Sequence, residues 1–513
     1  MNPIRQFSIL LILCSNLGVV FSEDRVIGFR GDGNGDFPNA NPPTQFSEQE
    51  NLRWKVAVGQ GCGSVIIVGD RLFVQAAPNA LICLEKQSGK ELWRRTHHVG
   101  QLDPNILASQ YDAAMDDLGV YHAKCQTLLK LSKDDPKRGS LEFELKTLES
   151  RLPKDILGQV AGAQIGGYGY GGRFLICMTP CSDGNSVVAV FPTGIAVAYD
   201  LQGTLLWSIS IRPPVKPPVD WPKGAKYVPI PTAALSTCPV FSSEGIVVVI
   251  YGYFTYGIDA KNGKILWQHL SFGDSCASPI VRVIGKDSFV ATGNGNILRV
   301  RDGMVLHQGE GPFGTSSVSP VYADGVFHWV PLAIKVIPGE VPKAEVLWSI
   351  SGEALEKVSA WKYYKGPYLS PNIDFTSPVI INKQLLYFPW KSGMTIFDTD
   401  TGKVIAQHQI GKGKAKVLSG GMTKNWAYSG MVRAGNYLIL AHDNGVVKFI
   451  PINETFSPVQ SCAVPDDLIA QPSCDGPALY LRSMNNLYRF DNPNPNPTPK
   501  KRINHEVHPS KTE

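Results

Sequence analysis

Short runs of alternating apolar residues recur along the chain, and each leads through an acidic residue and a glycine turn into a strand that ends on an aromatic side chain. One unit reads DRLFVQAAPNALICLEKQSGKELW and ends at Trp93. A second, NSVVAVFPTGIAVAYDLQGTLLW, ends at Trp207, and a third, EGIVVVIYGYFTYGIDAKNGKILW, ends at Trp267. In all three a glycine stands four positions before the tryptophan: Gly89, Gly203 and Gly263. Weaker copies place Gly303 before His307 and Gly402 before Ala406, and a further one ends near Trp348. GNYLILAHDNGVVKFI and GPALYLRSMNNLYRF extend the series, the last stopping at Phe490 without its final strand. Asp200, Asp259 and Asp398 suit the turn because their side chains can hold its backbone N–H groups.

Small, proline-containing segments precede several units: Ser236-Thr237-Cys238-Pro239-Val240, Ala277-Ser278-Pro279-Ile280, Val318-Ser319-Pro320-Val321 and Thr376-Ser377-Pro378-Val379. Small side chains suit strands crowded about an axis. Four-stranded sheets this short need neighbours on both faces, and radial closure supplies them. The pattern therefore predicts an all-β, eight-bladed β-propeller of four-stranded antiparallel blades. The segment NLRWKVAV, with Trp54, precedes the first full unit and is expected to supply the strand missing from the last. The tryptophans at 93, 207 and 267 read as packing devices between blades rather than as a ligand site.

The repeat breaks once. Trp93 and Trp207 are about twice as far apart as Trp207 and Trp267. Residues 99–157 fill the gap. Leu107, Tyr111, Met115, Leu118, His122, Cys125 and Leu129 fall near one helical face, and LEFELKTLESRL is a second helix candidate after the loop SKDDPKRGS. The spacing predicts an α-helical hairpin insertion projecting from one propeller face, as a lid or a partner-binding arm. The glycine-rich AGAQIGGYGYGGRFLI, with Tyr168 and Tyr170, lacks the spacing and the Lys-Ser/Thr of a phosphate loop. PPVKPPVDWPKG, around Trp221, reads as a stiff loop, and residues 491–513 as a disordered tail.

Composition adds compartment and excludes some partners. The chain has 513 residues, 43% hydrophobic and 18% charged, with 50 Gly, 38 Pro and a formal net charge of +5. That balance gives no support to nucleic-acid binding. Arg5 followed by the apolar run to Phe21, with Val20-Phe21-Ser22 as a cleavage site, reads as a signal peptide over 1–22. An uncleaved anchor is the alternative, but Cys14, Ser15, Asn16 and Gly18 interrupt the run, and Leu13 is too large for the usual lipoprotein signal at Cys14. Domain organisation is then 1–22 signal peptide, 23–490 propeller closed by the N-terminal strand, 99–157 insertion within it and 491–513 tail, with a secreted or periplasmic location and no transmembrane segment. Nine cysteines remain after cleavage; Cys177–Cys181 and Cys462–Cys474 are the pairs to examine for disulfides, and no Cys-x-x-Cys or adjacent cysteine pair occurs.

The outer turns resemble those of the pyrroloquinoline-quinone-type propeller repeat, which read Ala-x-Asp-x-x-Thr-Gly-x-x-x-Trp. Gly257-Ile258-Asp259 leads to Asn262-Gly263 and Trp267; Ala198-Tyr199-Asp200 leads to Gly203 and Trp207 with one turn residue fewer; Thr401-Gly402 keeps the turn without the Trp. The lead-in, with Phe29-Arg30-Gly31 and Leu52-Arg53-Trp54, is similar to that of secreted proteins of planctomycete-like bacteria. The resemblance spans about residues 28–490. It implies the propeller fold; for function it implies either a quinone-dependent alcohol or sugar dehydrogenase or a non-catalytic member such as the outer-membrane assembly lipoprotein. The dehydrogenase branch would carry an adjacent cysteine pair, a calcium-binding Glu/Asn/Asp set and a Trp platform, and the haem branch Cys-x-x-Cys-His. No residue here fills those roles, so no cofactor is expected.

Other candidate chemistry is sparse. Asp32, Asn34 and Asp36 alternate as in a calcium loop, but Phe37 stands where a Gly is required and Pro43 where the Glu is. His97 and His98 are adjacent and would point to opposite sides of a strand; His122 or Asp103 could join them only by chance of folding. His328, His442 with Asp443, and Asp374 are candidates to line the propeller mouth. No residue is assigned a catalytic, cofactor or metal role. The favoured function is an extracytoplasmic binding or assembly scaffold with a protein partner at 99–157 or on a propeller face. The alternative is an atypical quinone-dependent oxidoreductase or a polysaccharide-active propeller.

Overall fold

In a computed structural model, the structure describes residues 27–76, 79–97, 117, 120–121, 124, 127–128, 131–132, 134–151, 178–191, 194–211, 237–271, 277–309, 318–330, 332–350, 376–388, 393–409, 430–442, 444–457 and 459–494. Within them the alternating runs form eight antiparallel four-stranded sheets. Counting from the first complete unit, blade 1 runs from Ile66–Val68 through Arg71–Ala76 and Ala80–Glu85 to Glu91–Thr96. Blade 2 spans Cys181–Ser182 to Leu205–Ser210, blade 3 Val240–Phe241 to Ile265–Leu270, and blade 4 Ile280–Ile284 to Val305–His307. Blade 5 spans Val321–Ala323 to Lys343–Ser349, blade 6 Val379–Ile381 to Val404–Gln409, and blade 7 Met431–Ala434 to Gln460–Ala463. Blade 8 takes Ser473–Asp475, Ala478–Arg482 and Asn486–Asp491 from the end of the chain, and Leu52–Ala57 as its outer strand, with Trp54 opposite Arg489. Blade 7 carries an addition the repeat does not announce: Asp36–Phe37 joins its inner strand in parallel, opposite Arg433–Ala434.

The two middle strands of most blades are buried on both faces, as Ile246–Tyr251 illustrates, so they read as continuous apolar runs, whereas Leu332–Ile337 of blade 5 and Val446–Pro451 of blade 7 are only partly covered. Five of the outer strands carry a tryptophan. The Gly and Trp of one unit do not meet each other; each tryptophan lies on the turn glycine of the next blade and donates its indole N–H to a carbonyl of that turn. Trp54 covers Gly89, Trp93 covers Gly203, Trp207 covers Gly263, Trp267 covers Gly303 and Trp348 covers Gly402. The acceptors, in the same order, are Lys86 O (3.3 Å), Leu201 O (3.1 Å), Ala260 O (2.7 Å), Val300 O (2.7 Å) and Thr399 O (2.7 Å). A Cβ at Gly303 would stand 2.7 Å from the Trp267 ring, and its φ is +71°, so this position requires glycine twice over.

The insertion is helical. Helix α1 covers Arg138–Arg151, and residues 117, 120–121, 124 and 127–128 are helical as well. Asp135 caps α1: its Oδ1 accepts the Lys137 N–H at 2.9 Å, with Pro136 in the first-turn position that needs no donor. Lys124 pairs with Glu144, tying the two helical stretches together. The insertion does not project freely from the ring. Tyr121, Leu145 and Leu148 are buried in one apolar cluster with Phe73, Trp93, Phe191 and Tyr199 of blades 1 and 2. On the other side of α1, Phe143 is 72% exposed.

Candidate functional site

The small residues ahead of the inner strands assemble into a belt around the axis. The main-chain N–H of Ser64 in blade 1 donates to Thr179 Oγ1 of blade 2 (2.9 Å), and the Thr179 N–H to Cys238 Sγ of blade 3 (3.2 Å). The Cys238 N–H continues to Ser278 Oγ (3.1 Å), Ser278 to Ser319 Oγ (2.9 Å) and Ser319 to Ser377 Oγ (3.1 Å). In six blades the belt residue precedes a proline, which holds it extended and removes the next N–H at a sheet edge where no partner strand exists. Blade 7 breaks the series with Gly430, whose φ is +69°. A Cβ there would stand 2.7 Å from Gln471 Nε2 and 3.3 Å from the Ser377 N. Gln471, the belt residue of blade 8 and 6% exposed, extends its amide into the space that a side chain at 430 would occupy. Ser64 Oγ completes the circuit by donating to the Gln471 carbonyl (3.0 Å).

Across the inner strands lies the segment 27–37. Ile27 bridges Ser182 of blade 2, and Gly28 lies against Cys181 and Pro239. Asp32 receives Arg282 of blade 4 at 2.8 Å, and Asn34 exchanges two bonds with the Tyr322 backbone of blade 5 (3.1 and 2.9 Å). Arg30 Nη2 donates to Pro378 O of blade 6 (2.7 Å) and to Met431 O of blade 7 (2.8 Å). Asp36 faces Arg433 at 3.4 Å. One stretch of chain thus touches blades 2 to 7 and forms a plug. Gly31, Gly33 and Gly35, at φ +75°, +97° and +68°, alternate with the polar residues and turn each toward a different blade. The spacing that resembles a calcium loop is therefore the geometry of this plug: Asp32, Asn34 and Asp36 point at blades 4, 5 and 7. Among the described residues no three His, Cys, Asp or Glu side chains converge as metal ligands.

Burial lowers the Arg30 pKa to about 9, against the opposing pull of Asp32 and Asp36, so the group stays charged at neutral pH. The Arg282 pKa is lowered for the same reason, with Asp32 and Tyr322 opposing.

The histidine candidates do not line a mouth together. His97 is buried in the sheet, its Nε2 2.9 Å from the Tyr199 hydroxyl. His328 is buried in blade 5 beside Trp348, and burial lowers its pKa to about 4. His442 is buried at a turn of blade 7. His98, Asp103, His122, Asp374 and Asp443 lie outside the described residues, as do Tyr168, Tyr170 and Trp221. Cys462 and Cys474 are separate thiols, because Cys462 sits on the outer strand of blade 7 and Cys474 on the inner strand of blade 8. Cys181 is likewise a free thiol, and Cys177 lies outside the described residues. Sequence reasoning did not find Arg30 or Gln471, whose partners are hundreds of residues away; the residue type before each inner-strand proline is the signal that could have exposed the belt.

A family model described as outer membrane protein assembly factor BamB matches residues 45–164, from the closing strand of blade 8 through blade 1 into the insertion. That match covers less than half of the chain, and the fold is an eight-bladed β-propeller of four-stranded blades. No curated protein matches the chain. Among solved structures, BamB from Moraxella catarrhalis is 14% identical with a TM-score of 0.41, over 61% of this chain and 81% of that one. Quinohemoprotein alcohol dehydrogenase ADHIIG from Pseudomonas putida HK5 is 11% identical with a TM-score of 0.48, over 88% and 78%. The quinohemoprotein alcohol dehydrogenase from Comamonas testosteroni is 11% identical with a TM-score of 0.47, over 91% and 80%. No helix among the described residues is long and apolar enough to cross a membrane.

Proposed function

We propose that this protein is a secreted or periplasmic bacterial binding scaffold that holds a protein partner, with residues 1–22 as a signal peptide, the ring within 23–490 and 491–513 as a disordered tail. One observation carries the reading. Among the described residues, the carboxylates at the axis are committed to the chain itself: Asp32 pairs with Arg282 and Asp36 with Arg433, and the belt beside them is built from small residues whose polar groups tie blade to blade. A quinone dehydrogenase needs converging groups left over for an ion and a cofactor. The docked insertion supports the scaffold reading by presenting Phe143 to solvent from a helix that is itself anchored.

The test has two arms. Full-length protein dialysed against pyrroloquinoline quinone and calcium is expected to retain no stoichiometric quinone and to show no dye-linked alcohol oxidation. Retention at one per chain with turnover would overturn the reading. In the second arm, replacing 99–157 by a short linker is expected to leave the ring folded and to abolish partner capture; undiminished capture would move the partner site off the insertion.

A further inference from the structure

Among the described residues, the charges at the plug do not balance. Arg30, Arg282 and Arg433 face two carboxylates, Asp32 and Asp36, and each carboxylate already has its own arginine on a blade. Arg30 is the cation in excess, and it is 2% exposed. Its Nη2 spends both hydrogens on Pro378 O and Met431 O, while Nε and Nη1 have no partner among the described residues. A buried guanidinium with open donors is costly, and the two carboxylates that act on it, Asp32 and Asp36, are each shared with a second arginine. The two carbonyls that hold Nη2 follow directly on Ser377 and Gly430, so the guanidinium lies beside the one irregular joint of the belt. There Gln471 contributes a second buried polar atom without a partner, Oε1, on an amide that can turn to present its NH2 instead.

We infer that this niche, walled by Arg30, Gly430 and Gln471, is a binding site for a single small halide ion, chloride in the protein's natural setting. The choice of a monatomic anion follows from the donors. Both forks of a guanidinium that grip a carboxylate or phosphate in two-point fashion include Nη2 here, and Nη2 is taken by the two carbonyls. What remains is Nη1 and Nε, on different sides of the group, which a bidentate oxoanion cannot bridge. A spherical ion needs only one of them, with an amide N–H of Gln471 as a second donor. Binding neutralises the excess charge and fixes the plug against blades 6 and 7.

Bromide serves as the probe. Crystals of the full chain grown in chloride and soaked in sodium bromide are expected to show an anomalous peak within about 3.5 Å of an Arg30 nitrogen. In solution, exchanging gluconate for chloride or bromide at constant ionic strength is expected to raise Tm by about 1–3 °C per tenfold halide. Arg30→Met should remove that dependence, and Gln471→Leu, which keeps the plug arginine, should weaken it. The inference is overturned by the absence of a bromide peak at Arg30, or by equal halide dependence in wild type and Gln471→Leu together with Arg30→Met. Quinone binding, the readout of the functional proposal, is separate from either outcome.

Discussion

At the level of single residues, the belt makes Gly430 the most constrained position near the axis. Any side chain there meets the Gln471 amide, and the backbone is left-handed. Gly430→Ala is expected to cost about 2–4 kcal/mol in urea unfolding, from strain and overpacking together. Shortening the intruding side chain with Gln471→Ser should recover part of that cost in the double variant, whereas independent sites would simply add. His328 gives a pH prediction. Burial lowers its pKa from 6.5 to about 4, against the opposing pull of Asp400 and Asp324, so the unfolded chain binds the proton more readily than the folded one. The stability it confers is complete above pH 6.5 and is lost as the pH falls toward 4, about 2 kcal/mol of it by pH 5. His328→Gln should flatten that stretch of the stability–pH curve.

Among elements, those visible in the sequence were the ones defined by local rules. Alternation, a turn aspartate and a glycine at fixed offset placed the strands, because each rule acts within about 25 residues. The offset of Gly and Trp marked packing, but it did not reveal that Trp207 rests on Gly263 of the following blade rather than on its own Gly203. The plug left no such mark. Asp32, Asn34 and Asp36 make contacts 250 to 397 residues away, and an alternating polar–glycine string looks like an ion loop until its partners are known. The insertion was legible as helices from its periodicity, yet its docking depends on Leu145 and Leu148 meeting blades 1 and 2. Leu148→Ala is therefore expected to destabilise the protein by about 2–3 kcal/mol by chemical denaturation, while Phe143→Ser on the exposed side should be close to neutral.

For the whole molecule, closure is made twice by the same end of the chain. Leu52–Ala57 completes blade 8, and the plug bridges blades 2 to 7. Trp54 joins blade 8 to blade 1 through Gly89, with Asp466 holding the last strand by bonds from Tyr488 OH (2.7 Å), Asn486 Nδ2 (2.6 Å) and Ser483 Oγ (3.0 Å). Trp54→Ala should cost about 3–5 kcal/mol and, unlike Trp207→Ala in mid-ring, should raise protease cleavage in blade 8 and in the plug together. Cleavage confined to blade 8 would show that the two closures are independent.

The double closure also sets an order of events. A ribosome delivers residues 27–57 first, but their receptors in blades 4 to 8 come from residues 280–491. Both fasteners must wait, unpaired, while the rest of the ring is made, and the final step joins segments more than four hundred residues apart. Such distant pairing is slow and leaves a bare strand edge in the interval. The ring is thus most in need of protection just before blade 8 is made, at both of its open sides at once.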